Sequence, residues 1–266
     1  MYTPTVLTIA GFDPYGGAGI QIDTKTIHAL GGYAFSAVTA VTAQNSQGVS
    51  GVEAVSPQML HLQLDTLLKD VKVDAVKIGM LANASLVEVV SDVIEAYGLK
   101  NVVLDPVLVS SSGRTLLEPE AVKVMVARLF PLCSLVTPNL DETNMLLHAN
   151  FKGEAKEISL MAEQFLKMGA GNILMKGGHT AEEKAVDYLV GYSGITAYAT
   201  PRIHTSHTHG TGCLLSSAIT TRLARGETLA ASVKVAKAFL FSKLKKASML
   251  HLSYTAQNQM RKEPVF

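Results

Sequence analysis

Charge of either sign is scarce in this chain of 266 residues. Asp, Glu, Lys and Arg make up 17% of it, and 23 basic residues against 22 acidic ones leave a net charge of +1. An average soluble protein carries roughly 25% charged residues. The basic excess expected of a nucleic-acid binder is missing, so no nucleic-acid partner is expected. Long apolar runs are missing as well. A membrane span needs about 20 consecutive apolar residues, and stretches such as Ala34 to Ala43 are broken by Ser and Thr well before that. The opening MYTPTVLTIAG has neither the basic flank nor the cleavage site of a secretory signal, and no membrane partner is expected. Only two cysteines occur, Cys133 and Cys213, without CxxC spacing. They build no disulfide framework or zinc ribbon, and a reducing cytoplasm is the expected compartment. Standard phosphate signatures are absent too: there is no GxxxxGK[ST], and Gly16-Gly17-Ala18-Gly19 lacks the third glycine of GxGxxG.

What is present is apolar: 48% of the residues are hydrophobic, which excludes wholesale disorder and supports a sizeable core. A length of 266 residues means one large domain or two small ones on a prior of about 150 per domain. Short apolar runs at 5–10, 33–42, 75–78, 101–104, 135–136, 172–175, 185–190 and 196–199 read as strands. Segments of helical spacing at 20–30, 57–68, 86–97, 118–130, 139–147, 158–168, 211–224 and 229–244 separate most of them. That alternation specifies βαβ units and a mostly parallel α/β sheet with helices on both faces. One domain over 1–266 is expected, with a surface loop at 150–157 and a weakly ordered tail over 252–266. So oily a surface points to an oligomer, expected to be a homodimer.

In open parallel sheets, ligands bind beyond the carboxyl ends of the strands. The residues directly after the expected strands are Gly11-Phe12-Asp13, Gln44-Asn45, Gly79-Met80, Asp105-Pro106, Thr137-Pro138-Asn139 and Lys176-Gly177-Gly178-His179. Loops are polar anyway, but six such clusters on one rim favour a site. The segment Thr208 to Cys213 (THGTGC) opens a helix, where free amides and the dipole's positive end would hold an anion. That end also lowers a thiol pKa, so a partly ionised Cys213 and an inert small cysteine at a helix start are both open readings. Asn139 and Glu142 have the spacing of a capping box, which is the preferred reading on spacing alone, and a carboxylate there also suits Mg²⁺ or its waters. Lys176 at a strand end fits phosphate charge, because buried strand ends seldom hold an unpaired Lys. His204, His207 and His209 form HxxHxH without a partner at ligand spacing, which argues against a metal site.

Taken in order, TIAGFDPYGGAGIQIDTKT, VTAVTAQNSQGV, KIGML, NVVLDPVLVSSSG, VTPNLDET, ILMKGGH with VDYL, and THGTGC resemble the hydroxymethylpyrimidine phosphate kinases of thiamin synthesis. These belong to the ribokinase-like superfamily, and the likeness runs from about Thr5 to Leu244. It implies a ribokinase-like fold and an ATP-dependent kinase for 4-amino-5-hydroxymethyl-2-methylpyrimidine and then its monophosphate. By motif, Gly11, Asp23 and Gln44 would hold the pyrimidine and Met80 would cover its face. Cys213 would stand where superfamily members with other substrates usually have an aspartate base, beside the amides of Gly210, Thr211 and Gly212. Asn139 and Glu142 would organise Mg²⁺ and triphosphate, Asp105 would lie near the metal, and Lys176 would contact the phosphates. Gly177 and the helix bearing Lys237 would border the adenine.

The chain departs from the family's pattern at Phe12, Tyr15 and Ser110-Ser111-Ser112, and its end, QMRKEPVF, lacks the usual Gly-Pro stretch. Three rival readings stay open. A pyridoxal kinase-like member is one, a non-catalytic ligand-binding relative another, and a cysteine-nucleophile hydrolase or transferase using His209 beside Cys213 the third.

Overall fold

The computed structural model describes residues 2–45, 48–110, 113, 115–177, 183–192, 194–205 and 207–247. Ser111, Ser112, Gly178, His179 and the tail over 252–266, all of which carry sequence expectations, lie outside the described residues. In chain order the elements begin β1 (Thr5–Phe12), α1 (Gly19–Ala29), β2 (Tyr33–Asn45), β3 (Gly48–Ala54), α2 (Pro57–Asp70), β4 (Ala75–Ile78), α3 (Ala84–Tyr97) and β5 (Val102–Leu104). They continue with α4 (Pro119–Val124), β6 (Leu135–Val136), α5 (Leu140–Leu147), α6 (Ile158–Lys167), β7 (Asn172–Met175), β8 (Lys184–Gly191), β9 (Gly194–Pro201), α7 (Thr211–Ala224) and α8 (Leu229–Leu244).

Among the described residues, nine strands join one sheet in the order β3-β2-β1-β4-β5-β6-β7-β8-β9. The run from β2 to β7 is parallel. Antiparallel β3 closes one edge and the β8-β9 hairpin the other. Short strands such as Val102–Leu104 are buried on both faces, which is why they read as continuous apolar runs rather than alternating ones. Leu7, Ile9, Val76, Ile78 and Leu104 pack against α2, α3 and α6 through Leu60, Leu64, Val90 and Phe165. On the opposite face Val103, Leu135 and Leu174 meet α7 and α8 through Leu215, Ile219 and Val233. Phe165 is fully buried, and truncating it to Ala costs about 3–5 kcal/mol.

Local signals set the helix ends. Ser56 accepts from the Met59 amide at the start of α2, where Pro57 takes the first turn, and Asn83 caps α3 in the same way. Two expectations differ from the structure. Strand β3 was not anticipated: its glycine-rich run has no apolar pattern of its own and depends on pairing with β2, which it extends to Asn45. The expected helix over 118–130 stays α-helical only to Val124, then widens to a π turn over Met125–Leu129 and tightens to a 3₁₀ turn over Phe130–Leu132. Pro131 has no amide to continue an α ladder, so the chain changes pitch before it.

Strand β1 lies between β2 and β4, so the chain steps to one side of it to form β2 and β3 and then crosses back to the other side to form β4. A crevice forms at such a reversal, above the carboxyl ends of the two strands.

Candidate active site

A cleft of about 880 Å³ opens at that point. It is floored by the ends of β1, β4 and β5 and walled by the start of α7. The turn after β1 is organised by Asp13, whose carboxylate accepts from the amides of Tyr15 (2.9 Å), Gly17 (3.1 Å) and Ala18 (2.8 Å). Burial pushes this carboxyl up, but bonds from His209 and from the Ala18 and Tyr15 amides outweigh it and hold the group below the usual carboxylate range. Glycine is required twice here. Gly19 (φ +57°) turns against the Gly11 carbonyl, and Gly210 (φ +80°) against the Gly17 carbonyl, each with no room for a Cβ. The two glycine turns therefore meet backbone to backbone.

Helix α7 starts immediately after Gly210. Its Thr211 amide is bonded to the Thr208 carbonyl at 3.2 Å, whereas those of Gly212 and Cys213 have no partner among the described residues and face the cleft with the helix dipole behind them. Cys213 differs from the ionised reading. Burial pushes its thiol up to about 11, with the carboxylates of Asp23 and Asp105 adding to burial and Lys77 and the Gly19 amide opposing it. The helix terminus does not overcome loss of water and two nearby negative charges, so the group is a thiol at neutral pH.

Beside it lies the charged end of the cleft. Lys176 Nζ is 2.7 Å from Asp105 Oδ1 and 3.8 Å from Glu142 Oε2. Burial opposes the ammonium charge, but Asp105 and Glu142 hold the Lys176 pKa above its ordinary value. Glu142 is pushed up to about 7, first by burial and then by Asp105, against the pull of Lys176. The capping box is formed: Glu142 Oε2 accepts from the Asn139 amide and Asn139 Oδ1 from the Glu142 amide, both at 2.8 Å. A Cβ on Gly212 would come within 3.1 Å of Asp105 and 3.2 Å of Lys176, so this glycine lets the helix start approach the pair. Two buried carboxylates form a hard-oxygen donor set that fits Mg²⁺, an ion commonly held by one or two carboxylates with substrate phosphates. Among the described residues no cluster of three His, Cys, Asp or Glu could hold a metal by itself, and HxxHxH forms none.

The cleft brings together Gly11, Gln44, Met80, Asp105, Asn139, Glu142, Lys176, Gly210 to Cys213 and Lys237. Two expected residues fall outside its lining, and both require correction. Asp23 is fully buried below the floor, its Oδ2 bound by Thr8 (2.6 Å) and Lys77 (2.8 Å) and its Oδ1 by Ser217 (2.7 Å). Both of its oxygens are thus engaged within the protein. Gly177 packs on the backbone of Val186, and its amide donates to Asp187 Oδ1 at 3.0 Å. The other Asp187 oxygen is 2.7 Å from Lys237 Nζ, so Lys237 reaches the cleft already paired.

Sequence reasoning passed over Lys77, which lines the cleft while fully buried in β4. A lysine inside a four-residue apolar strand was the available signal. His209 was weighed only as a metal ligand or a base. Its Nε2 lies 3.1 Å from Asp13 Oδ2 and 3.1 Å from Gln44 Nε2, and Gln44 Oε1 lies 3.3 Å from the Thr42 hydroxyl. Met80 closes on Gly11, where a Cβ would stand 2.7 Å from the Met80 methyl.

Comparison with known proteins adds to this geometry. A family model described as phosphomethylpyrimidine kinase matches residues 13–257. The hydroxymethylpyrimidine/phosphomethylpyrimidine kinase of Escherichia coli K12 is 44% identical over 248 residues, 93% of each chain. Among solved structures, phosphomethylpyrimidine kinase from Clostridium difficile superposes with a TM-score of 0.80 at 37% identity, covering 90% of this chain and 99% of that one. The ADP complex of Bacillus subtilis pyridoxal kinase superposes with a TM-score of 0.86 at 32% identity, covering 94% and 95%.

Proposed function

Because the chain belongs to the phosphomethylpyrimidine kinase family and is a phosphotransferase, we propose that it phosphorylates 4-amino-5-hydroxymethyl-2-methylpyrimidine and then the monophosphate, using ATP, in thiamin synthesis. The observation that carries this reading is one cleft with an amide reader, Gln44, on one side and an anion end, Lys176 with the start of α7, on the other. Phosphoryl transfer asks a protein mainly for in-line positioning and charge neutralisation. Lys176 and the Gly212 and Cys213 amides supply donors for the phosphates. Gln44 offers a donor and an acceptor to the ring edge, and Met80 lies against the ring face. Asp105 and Glu142 would hold Mg²⁺, which when bound would neutralise phosphate charge. Asn139 keeps Glu142 in place through the capping box, and Lys237 borders the adenine. The protein works as a homodimer in the cytoplasm, a compartment that suits two free thiols.

The second reading, a kinase for pyridoxal-type alcohols, draws on the likeness to pyridoxal kinases. Incubation with ATP and Mg²⁺ and each of hydroxymethylpyrimidine, its monophosphate and pyridoxal, with product analysis, separates the two. The expected result is mono- and diphosphate from the pyrimidine; turnover of pyridoxal alone would overturn the assignment.

A further inference from the structure

Gln44 is the cleft's only amide side chain on the floor side, among the described residues, with donor and acceptor both turned to neighbours, and its neighbours are unequal. A half-turn of the amide exchanges its oxygen and nitrogen at almost no cost in shape, so hydrogen bonding has to decide between the two orientations. With Oε1 toward Thr42, the single Thr42 proton has two acceptors to serve, Gln44 at 3.3 Å and the Phe12 carbonyl at 3.0 Å. With Nε2 toward His209, the imidazole Nε2 must be bare, and its lone pair then faces the Asp13 carboxylate at 3.1 Å. Asp13 cannot relieve that conflict by taking a proton, since the backbone amides of Tyr15, Gly17 and Ala18 already donate to it.

The opposite orientation removes both conflicts. His209 Nε2–H points between Asp13 and Gln44, the Gln44 oxygen accepts from it, the Gln44 NH₂ donates to Thr42, and Thr42 donates to Phe12. We propose that His209, anchored by Asp13, is a positioning residue that fixes the direction of the Gln44 amide and so determines which ring the cleft accepts. The remaining oxygen lone pair and the remaining N–H then face the cleft in one fixed order. That order matches a ring bearing an amino group next to a ring nitrogen, as in a 4-aminopyrimidine, in a single pose that presents the hydroxymethyl group to the phosphate end. A 3-hydroxypyridine alcohol carries oxygens at the corresponding positions and gains little from it.

The inference rests on the reading that Gln44 meets the pyrimidine, and the test keeps the two apart. His209→Leu removes the donor, His209→Gln returns an N–H close to the imidazole Nε2, and His209→Asn returns one close to Nδ1, out of reach of Gln44. Steady-state kinetics of wild type and the three variants are measured with hydroxymethylpyrimidine and with pyridoxal. His209→Leu is expected to raise KM for the pyrimidine by about tenfold, the worth of one well-placed hydrogen bond, with a smaller change in kcat and in KM for pyridoxal. His209→Gln is expected to restore the KM and His209→Asn to leave it high; should His209→Leu not fold, this last pair decides. An unchanged pyrimidine KM, equal KM for the Gln and Asn variants, or a uniform loss of kcat on both alcohols would overturn the inference, the last pointing to a role in tying the glycine turns together. A wild-type protein inactive on the pyrimidine overturns the functional assignment instead.

Discussion

Two buried side chains set the chemistry of the cleft floor. Lys77 and Asp23 are both wholly excluded from water, 2.8 Å apart, with Thr8 and Ser217 completing the carboxylate's hydrogen bonds. Removing one partner of such a pair strands the other charge in the interior. Lys77→Met is expected to lower unfolding stability by about 3–5 kcal/mol in denaturant titration. The companion double variant with Asp23→Leu should recover part of that loss; if the double variant is less stable than the single one, the stranded-charge explanation fails. Burial opposes the Lys77 charge, but Asp23, Cys213 and Asp105 together outweigh it and hold the Lys77 pKa above its ordinary value. The contribution of Lys77 is therefore fully present below the ordinary lysine pKa and fades only in strong alkali, so the effect should be constant from pH 6 to 9.

Cys213 is a second side chain whose chemistry is set by burial. With its thiol pushed up to about 11, the thiolate at pH 7 is a fraction on the order of 10⁻⁴. Alkylation of Cys213 by iodoacetamide should thus keep accelerating about tenfold per pH unit between pH 7 and 9. Levelling off as the pH approaches 9 would show an ordinary thiol, and a plateau near pH 8 a lowered pKa. Were the small thiolate fraction of Cys213 the base for the substrate alcohol, it would matter for the first phosphorylation only, because a phosphate acceptor is already ionised at neutral pH. Cys213→Ala should therefore reduce kcat on the alcohol more than on the monophosphate, and equal losses would exclude the base role.

At the scale of the element, α5 shows one set of atoms serving structure and chemistry together. The Asn139–Glu142 capping box closes the helix start and at the same time aims Glu142 at Lys176. Losing the cap in Asn139→Ala should cost about 1 kcal/mol in thermal or denaturant unfolding. Asn139→Asp keeps an acceptor for the Glu142 amide, so its stability should stay near wild type while added negative charge at the phosphate end lowers affinity for ATP. Comparable stability loss in both variants would mean that the cap is not what holds the turn. The capping spacing was legible in sequence because it is local. That Glu142 ends beside Lys176 was not, because β7 meets the start of α5 only through sheet order.

For the whole molecule, the sparse charge has two destinations. Part of the apolar surplus fills the two layers of core on either side of the sheet. Another part stays exposed, including Val41 on β2 and Met59 and Leu62 on α2, two elements that pack together. Apolar exposure of this kind suits an interface between copies. Sedimentation velocity of the wild type should give a dimer, and paired Val41→Glu and Leu62→Glu changes should shift it to monomer. A monomeric wild type would remove the homodimer from the proposal.

Composition and local pattern by themselves determined the class: alternating buried strands and helices, their approximate ends, the rim where a ligand binds, and the glycine turns. These depend on short-range periodicity and on residues such as Gly210, whose backbone no other residue can adopt without strain. Tertiary structure alone decided which polar residues face the ligand. Asp23 and Lys77 sit 54 residues apart and neutralise each other below the floor, leaving Asp23 no part in the lining. His209 reaches Gln44 across 165 residues because two glycine turns meet backbone to backbone. The thiol of Cys213 stays protonated for the same reason: the charges and the burial that govern it come from α1, β4 and the end of β5, brought together only when the sheet closes over them.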